Sequence, residues 1–133
     1  MSVEENKALL HHVYDLLNRK EFDAYFALIA PDCVFHNYNG DFNSEQTKQI
    51  DIDWYSAFPD LHNTIEEIIA EGDKVALRVN YQGTHIGKGY GWTPTGKKIN
   101  ITNANTFRIA NGKLVEIWNA VDVRLFKQLG ISP

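Results

Sequence analysis

The chain has one cysteine, no excess of positive charge and no long apolar run, and each shortage closes off a class of function. Cys33 has no partner for an intramolecular disulfide, and its neighbours Val34 and Phe35 mark it as buried strand rather than a reactive or metal-binding surface. A reducing, cytoplasmic setting is therefore expected. No apolar stretch approaches the roughly 20 residues of a membrane span, and no charged segment leading into an apolar one opens the chain. These absences predict a soluble protein with no membrane partner. The formal charge is -4, and the lysines and arginines are scattered among acids, which leaves no basic stripe for nucleic acid. No Gly-x-Ser-x-Gly elbow, phosphate-binding glycine loop, Cys-x-x-Cys pair or dinucleotide fingerprint is present, and the five histidines lack metal-site spacing. Neither a metal nor a cofactor is expected.

What the chain does have is enough apolar material for one core: 44% of its 133 residues are hydrophobic, so residues 1–133 read as a single domain. Between Val3 and Asn18, Leu9, Leu10, Val13, Tyr14, Leu16 and Leu17 recur at helical spacing behind the acids Glu4 and Glu5. A second short helix is predicted from Glu21 or Phe22 to Ala30, where Pro31 blocks continuation. Cys33 to Asn37 is a brief β-prone run, and Asn43 with Gln46 signals the start of a third helix ending near Phe58-Pro59. Beyond Pro59, four runs rich in β-branched residues read as strands: Asn63 to Ala70, Lys74 to His85, Lys98 to Ala110 and Lys113 to Asp122. Glu71-Gly72-Asp73 and Ala110-Asn111-Gly112 are tight-turn sequences, which predicts hairpins and an antiparallel sheet. A last helical segment is expected from Val123 to Leu129, closed by Gly130 and capped by Asp122. Helices followed by strands give a segregated α+β fold, with the helices over one face of a curved sheet.

The strand periods contain one anomaly. Alternation along Lys98 to Ala110 aligns Asn103 and Asn105 with Ile99, Ile101, Phe107 and Ile109, and in the last strand it aligns Asn119 with Val115, Ile117 and Val121. A turn at Asn111-Gly112 sets Asn105 opposite Asn119. A buried amide without partners costs about 1–3 kcal/mol, so this pair should face a cavity or a polar network. His85 shares the face of Tyr81 at the edge of a glycine-rich stretch, Ile86 to Gly96, that reads as the rim of a pocket. Tyr14, Trp54, Phe58 and Tyr81 are its predicted apolar walls, with His36 at the mouth. His85 is the stronger candidate of the two histidines, although a structural role weighs as much as a functional one; the structural alternative for His36 is a strand-end histidine bonded to backbone, and for Asp122 helix capping outweighs catalysis. Arg78 and Arg108 fall on the opposite face, against the Asp-Arg-Asp type of water-activating cluster that an epoxide hydrolase would need. Apolar residues on both faces of the last strands, Leu114, Trp118 and Ala120 opposite Val115, Ile117 and Val121, predict that the outer face packs on a second copy as a homodimer.

Three stretches in this order carry a family likeness over nearly the whole length: ENKALLHHVYDLLNRKEFDAYFALIAPDCVFHN, AFPDLHNTIEEIIAEGDKVALRVNYQGTHIGKGYGWTPTGKKINIT and TFRIANGKLVEIWNAVD. Together they resemble the SnoaL-like polyketide cyclases of the nuclear-transport-factor-2-like superfamily. The resemblance implies a cone-shaped fold, commonly a dimer, around a cavity for a small apolar or polyketide-like ligand. It further implies cofactor-free acid–base chemistry by a cavity histidine and aspartate, which align with Asn105 and Asn119 here. An amide bonds an enolate oxygen but exchanges no proton near neutral pH. Two functions therefore stand side by side: an ester cyclase or isomerase using Asn105, Asn119, His85 and Asp122, and a non-catalytic ligand-binding domain of the same fold. A cavity carboxylate or histidine with perturbed proton affinity would favour the enzyme.

Overall fold

A computed structural model of the chain describes residues 2–132. Helix α1 (Val3–Asn18) begins with a capping box: the Ser2 hydroxyl accepts the Glu5 N–H at 3.1 Å, and the Glu5 carboxylate accepts the Ser2 N–H at 3.0 Å. It buries Leu10, Val13, Tyr14 and Leu17. Helix α2 (Phe22–Phe26) is shorter than its sequence signals predict, because the chain has already entered strand β1 (Ile29–Asn37) before Pro31. Pro31 sits where the pairing of β1 is interrupted, between Ile29 and Val34, a place where a residue with no N–H to give is tolerated. After strand β2 (Gly40–Phe42), helix α3 (Ser44–Ala57) starts on the predicted Asn43–Gln46 box, with both reciprocal bonds at 2.9 Å.

Strands β3 (His62–Glu71), β4 (Lys74–Thr84), β5 (Lys98–Ala110) and β6 (Lys113–Ala120) follow, and helix α4 (Arg124–Leu129) comes after them. They form one curved six-stranded sheet in the order β2-β1-β6-β5-β4-β3. The hairpins lie where the turn residues put them: Asn111 and Gly112 have φ of 52° and 72°, the two left-handed residues of a turn that matches strand twist. An entirely antiparallel sheet is not what forms, since β1 and β6 run parallel. Period-two patterning fixes which face a residue occupies but carries no information about the direction of a partner distant in sequence. The final strands also depart from simple alternation. A bulge between Arg108 and Ile109 pairs Ile109 with Leu114 and Arg108 with Glu116, leaving Val115 as the extra residue. Leu114 therefore turns inward with Ile117 instead of joining Trp118 and Ala120 on the outer face.

The helices pack on the concave side of the sheet, so the chain has the expected α+β architecture. Cys33 is buried at the base of this core, and burial pushes its thiol up to about 11, which keeps it inert. Among the described residues, no helix is long and apolar enough to cross a membrane.

Candidate active site

The concave face and the helices enclose a cavity of about 550 Å³. Its walls are largely aromatic, including Tyr25, Trp54, Tyr55, Tyr81, Trp92 and Phe107. Two of the polar groups that interrupt them bear on chemistry.

The first is centred on Asn105, which is 4% exposed and stands opposite Asn119 in the β5–β6 ladder. Its Nδ2 donates to the hydroxyls of both Tyr14 and Tyr81 at 2.9 Å, and its Oδ1 accepts from Asn119 Nδ2. The amide's two N–H groups are thus spent on the two phenols; Tyr14 in turn donates its O–H to the Tyr81 oxygen, which leaves the Tyr81 O–H free to give. Burial raises the proton affinity of both tyrosines, so they are neutral donors near pH 7. Asn103, the neighbouring inward amide, lines the cavity and accepts the Asp122 N–H at 2.8 Å, pinning the end of β6.

The second feature is Asp51 on α3. It lies deep in the protein yet keeps part of its surface open to the cavity, and the Tyr25 hydroxyl donates to it at 2.8 Å. Burial pushes its carboxyl up to about 7, outweighing the opposing effect of the Tyr25 bond. Its charge is felt at Tyr25, Tyr55, Tyr81 and Tyr90, so it faces the amide–phenol cluster across the same space. Among the described residues lining the cavity, it is the one carboxylate, and no histidine, lysine or arginine joins it. Sequence reasoning did not single it out, although a signal is present. Thr47, Asp51, Trp54, Tyr55 and Phe58 share one helical stripe, and an acid in an otherwise inward-facing stripe is an anomaly of the same kind as the strand amides.

Of the other residues picked from the sequence, Tyr14, Trp54 and Tyr81 line the cavity with Asn105 and Asn119, whereas four do not. Phe58 is fully buried beneath it, its ring tilted between those of Trp54 and His85, with centroids 4.7 and 5.2 Å away. His85 has no exposed surface. Its Nδ1 accepts the Thr95 N–H at 3.3 Å and lies 3.1 Å from the Thr95 hydroxyl, while Nε2 has no partner. Burial lowers its proton affinity, and its bonds tie the base of the glycine-rich loop. His36 points to the outer face, since its neighbour Phe35 points in; it bridges Asp41 and Glu116 at 2.7 Å each and stacks on Trp118. Those bonds, Asp41 first, raise its proton affinity. Asp122 is taken up by Arg124, which holds its carboxyl well below the usual range, and by the Thr102 and Arg124 N–H groups at 3.1 Å. The residue preceding α4 is Val123, so Asp122 reaches the helix start from one position further back than a normal cap.

The glycine-rich loop closes one side of the cavity through Tyr90 and Trp92. Its backbone is pressed against α3: a Cβ on Gly87 would lie 1.8 Å from Ser56 O, and one on Gly89 would lie 2.2 Å from Asp53 O. Only glycine permits this approach.

A family model described as SnoaL-like polyketide cyclase matches residues 7–129. No curated protein matches the chain. Among solved structures, AclR, a proposed hydroxylase from Streptomyces galilaeus, is 32% identical over 99% of this chain and 100% of that one, with a TM-score of 0.90. IdmH, a proposed polyketide cyclase from Streptomyces antibioticus, is 28% identical over 95% of this chain and 99% of its own, with a TM-score of 0.79. A SnoaL-like protein from Jannaschia sp. CCS1 is 20% identical over 98% of this chain and 94% of its own; its TM-score of 0.85 speaks for the fold alone.

Proposed function

The chain belongs to the SnoaL-like polyketide cyclase family, and we propose that it is a cofactor-independent enzyme of the cyclase or isomerase type acting on an apolar, polyketide-like ester or ketone. The observation that carries this reading is Asp51, a carboxyl with a proton affinity near neutrality in the cavity that holds the amide–phenol cluster. A general base works best when its pKa lies near the working pH, and a desolvated carboxylate meets that condition.

In this mechanism ionised Asp51 removes a proton from the carbon next to a substrate carbonyl. The electron pair moves onto the carbonyl oxygen, and the O–H of Tyr81, strengthened as a donor by the Tyr14 hydroxyl bonded to its oxygen, stabilises the resulting enolate. Asn105 holds both phenols in place, and Asn119 holds Asn105. In a cyclase the enolate carbon attacks a second carbonyl of the same molecule, forming the ring C–C bond, and the new alkoxide takes the proton back from Asp51. In an isomerase the proton returns to a different carbon. Both outcomes conserve mass and need no redox partner.

The likeness to AclR favours one second reading, hydroxylation of a related substrate, which would consume dioxygen and an external reductant. Incubating the protein with an aromatic polyketide ester and weighing the product separates the readings. An isomeric product supports the cyclase or isomerase, a product heavier by one oxygen supports the hydroxylase, and tight binding without conversion supports a ligand-binding domain. We also propose a two-fold dimer through the outer sheet face, where Trp118 is partly open and Ala104 and Ala120 are exposed.

A further inference from the structure

The loop from Ile86 to Gly96 does more than rim the cavity. It runs along α3, and its contacts fall on successive turns of that helix. The Gly87 N–H donates to Ala57 O at 3.1 Å, Gly89 abuts Asp53 O, and the Tyr90 hydroxyl donates to Ile50 O at 2.9 Å. That last carbonyl belongs to the residue directly before Asp51. Tyr90 is held in a left-handed conformation, with φ of 57°, a region that non-glycine side chains avoid unless the surroundings impose it. Here the restraints are the hydroxyl bond on α3 and the ring, which packs on Trp92 at 5.1 Å and walls the cavity. Burial first, and then the charge of Asp51, raises the proton affinity of Tyr90, so the phenol lies within the field of that carboxylate. Resting on the reading of Asp51 as the proton-transfer group, we propose that Tyr90 is a positioning residue whose latch on Ile50 holds the glycine-rich loop over the cavity and so keeps the Asp51 carboxyl dry.

The ionisable groups facing Asp51 are Tyr25 from α2, Tyr55 from its own helix, Tyr81 from β4, Tyr90 from the loop and Cys33 from β1. All five have raised proton affinities and are neutral near pH 7, so none sets a charge against Asp51 there, and the Tyr25 hydroxyl bond alone favours its ionised form. Desolvation is therefore the largest influence on its ionisation, and the stretch of loop along α3 is held there by the Tyr90 hydroxyl and the two glycine contacts. Releasing the latch admits water and returns Asp51 towards an ordinary carboxylate. With the latch made the carboxyl is a competent base, and with it broken a weaker one.

The test follows the Asp51 carboxyl directly by carbon-13 NMR across pH, in wild type, Tyr90→Phe and Gly89→Ala, with Lys88→Ala on the same loop as a control. Tyr90→Phe keeps the ring and removes only the latch, so it separates the hydroxyl from packing. The expected result is a midpoint near neutrality in wild type and Lys88→Ala, and a fall of about one pH unit or more in the other two, with the acid limb of kcat/KM falling in parallel. An unchanged midpoint in Tyr90→Phe and Gly89→Ala overturns the latch. Undiminished turnover in Asp51→Asn overturns instead the reading on which it rests, and the NMR midpoints distinguish the two failures.

Discussion

Replacing Asp51 by Asn tests the site through folding stability, independently of any substrate. The folded protein raises this carboxyl from 3.8 to about 7 because ionising it means placing a charge in an aromatic cavity. An acid whose affinity is raised on folding adds no penalty below its unfolded pKa, where both states are protonated. As pH rises from about 4 to about 7, the unfolded chain loses its proton and the folded one resists, so stability declines, and above 7 the full cost is present. A shift of this size corresponds to about 4 kcal/mol, a large share of the 5–15 kcal/mol typical of a domain. Asparagine keeps an oxygen for the Tyr25 hydroxyl and never ionises. The expected outcome is that wild type and Asp51→Asn melt alike near pH 4, and that at pH 8 the variant is more stable, by on the order of 10 °C in Tm for a chain of this length. Melting curves by circular dichroism at pH 4, 6 and 8 measure it. A difference that stays flat across that range would refute the claim that Asp51 is desolvated.

Removing the hub amide by Asn105→Ala leaves the Tyr14 and Tyr81 hydroxyls and the Asn119 amide without their partner, and urea unfolding should show a loss of about 1–3 kcal/mol for each group left unsatisfied. Gly87→Ala drives a methyl into Ser56 O and should destabilise by about 1–3 kcal/mol while raising protease cleavage within the loop. Burial lowers the proton affinity of His85, so its neutral form contributes stability that is present above its unfolded pKa and lost as pH falls below about 6.5; the stability advantage of wild type over His85→Gln should narrow below that pH in urea titrations. If the outer face packs on a second copy, light scattering will give twice the chain mass at micromolar concentration, and Trp118→Glu will give the monomer.

Local signals in the chain made much of the fold legible. The Asn111-Gly112 turn set the β5–β6 register well enough to pair Asn105 with Asn119, and the Asn43–Gln46 box marked the start of α3. Features fixed at long range were not legible. The parallel partnership of β1 with β6 joins segments some eighty residues apart, as with His36 against Trp118, and nothing local encodes it. Likewise the Arg108–Ile109 bulge altered the facing of Leu114 without a proline or glycine to announce it. At the site, the strand amides stood out because period two is easily read. Asp51 lay between two isoleucines and two residues from another acid, so its inward direction emerges only when α3 is phased by Trp54 and Tyr55. His36 and His85 were prominent by residue type, yet one is on the outer face between two carboxylates and the other is packed against Phe58 and tied to Thr95.

The claim that Asp51 moves protons is tested most directly by deuterium exchange. The protein is incubated in heavy water with an aromatic β-keto ester unable to cyclise, and deuterium entering the carbon beside the carbonyl is followed by mass spectrometry across pH 5 to 9. Catalysed exchange in wild type is expected to rise with pH and level off above about 7, and Asp51→Asn to lose about a hundredfold to ten-thousandfold of it. Exchange by Asp51→Asn at the wild-type rate, or a wild-type profile with no inflection near neutrality, would contradict it.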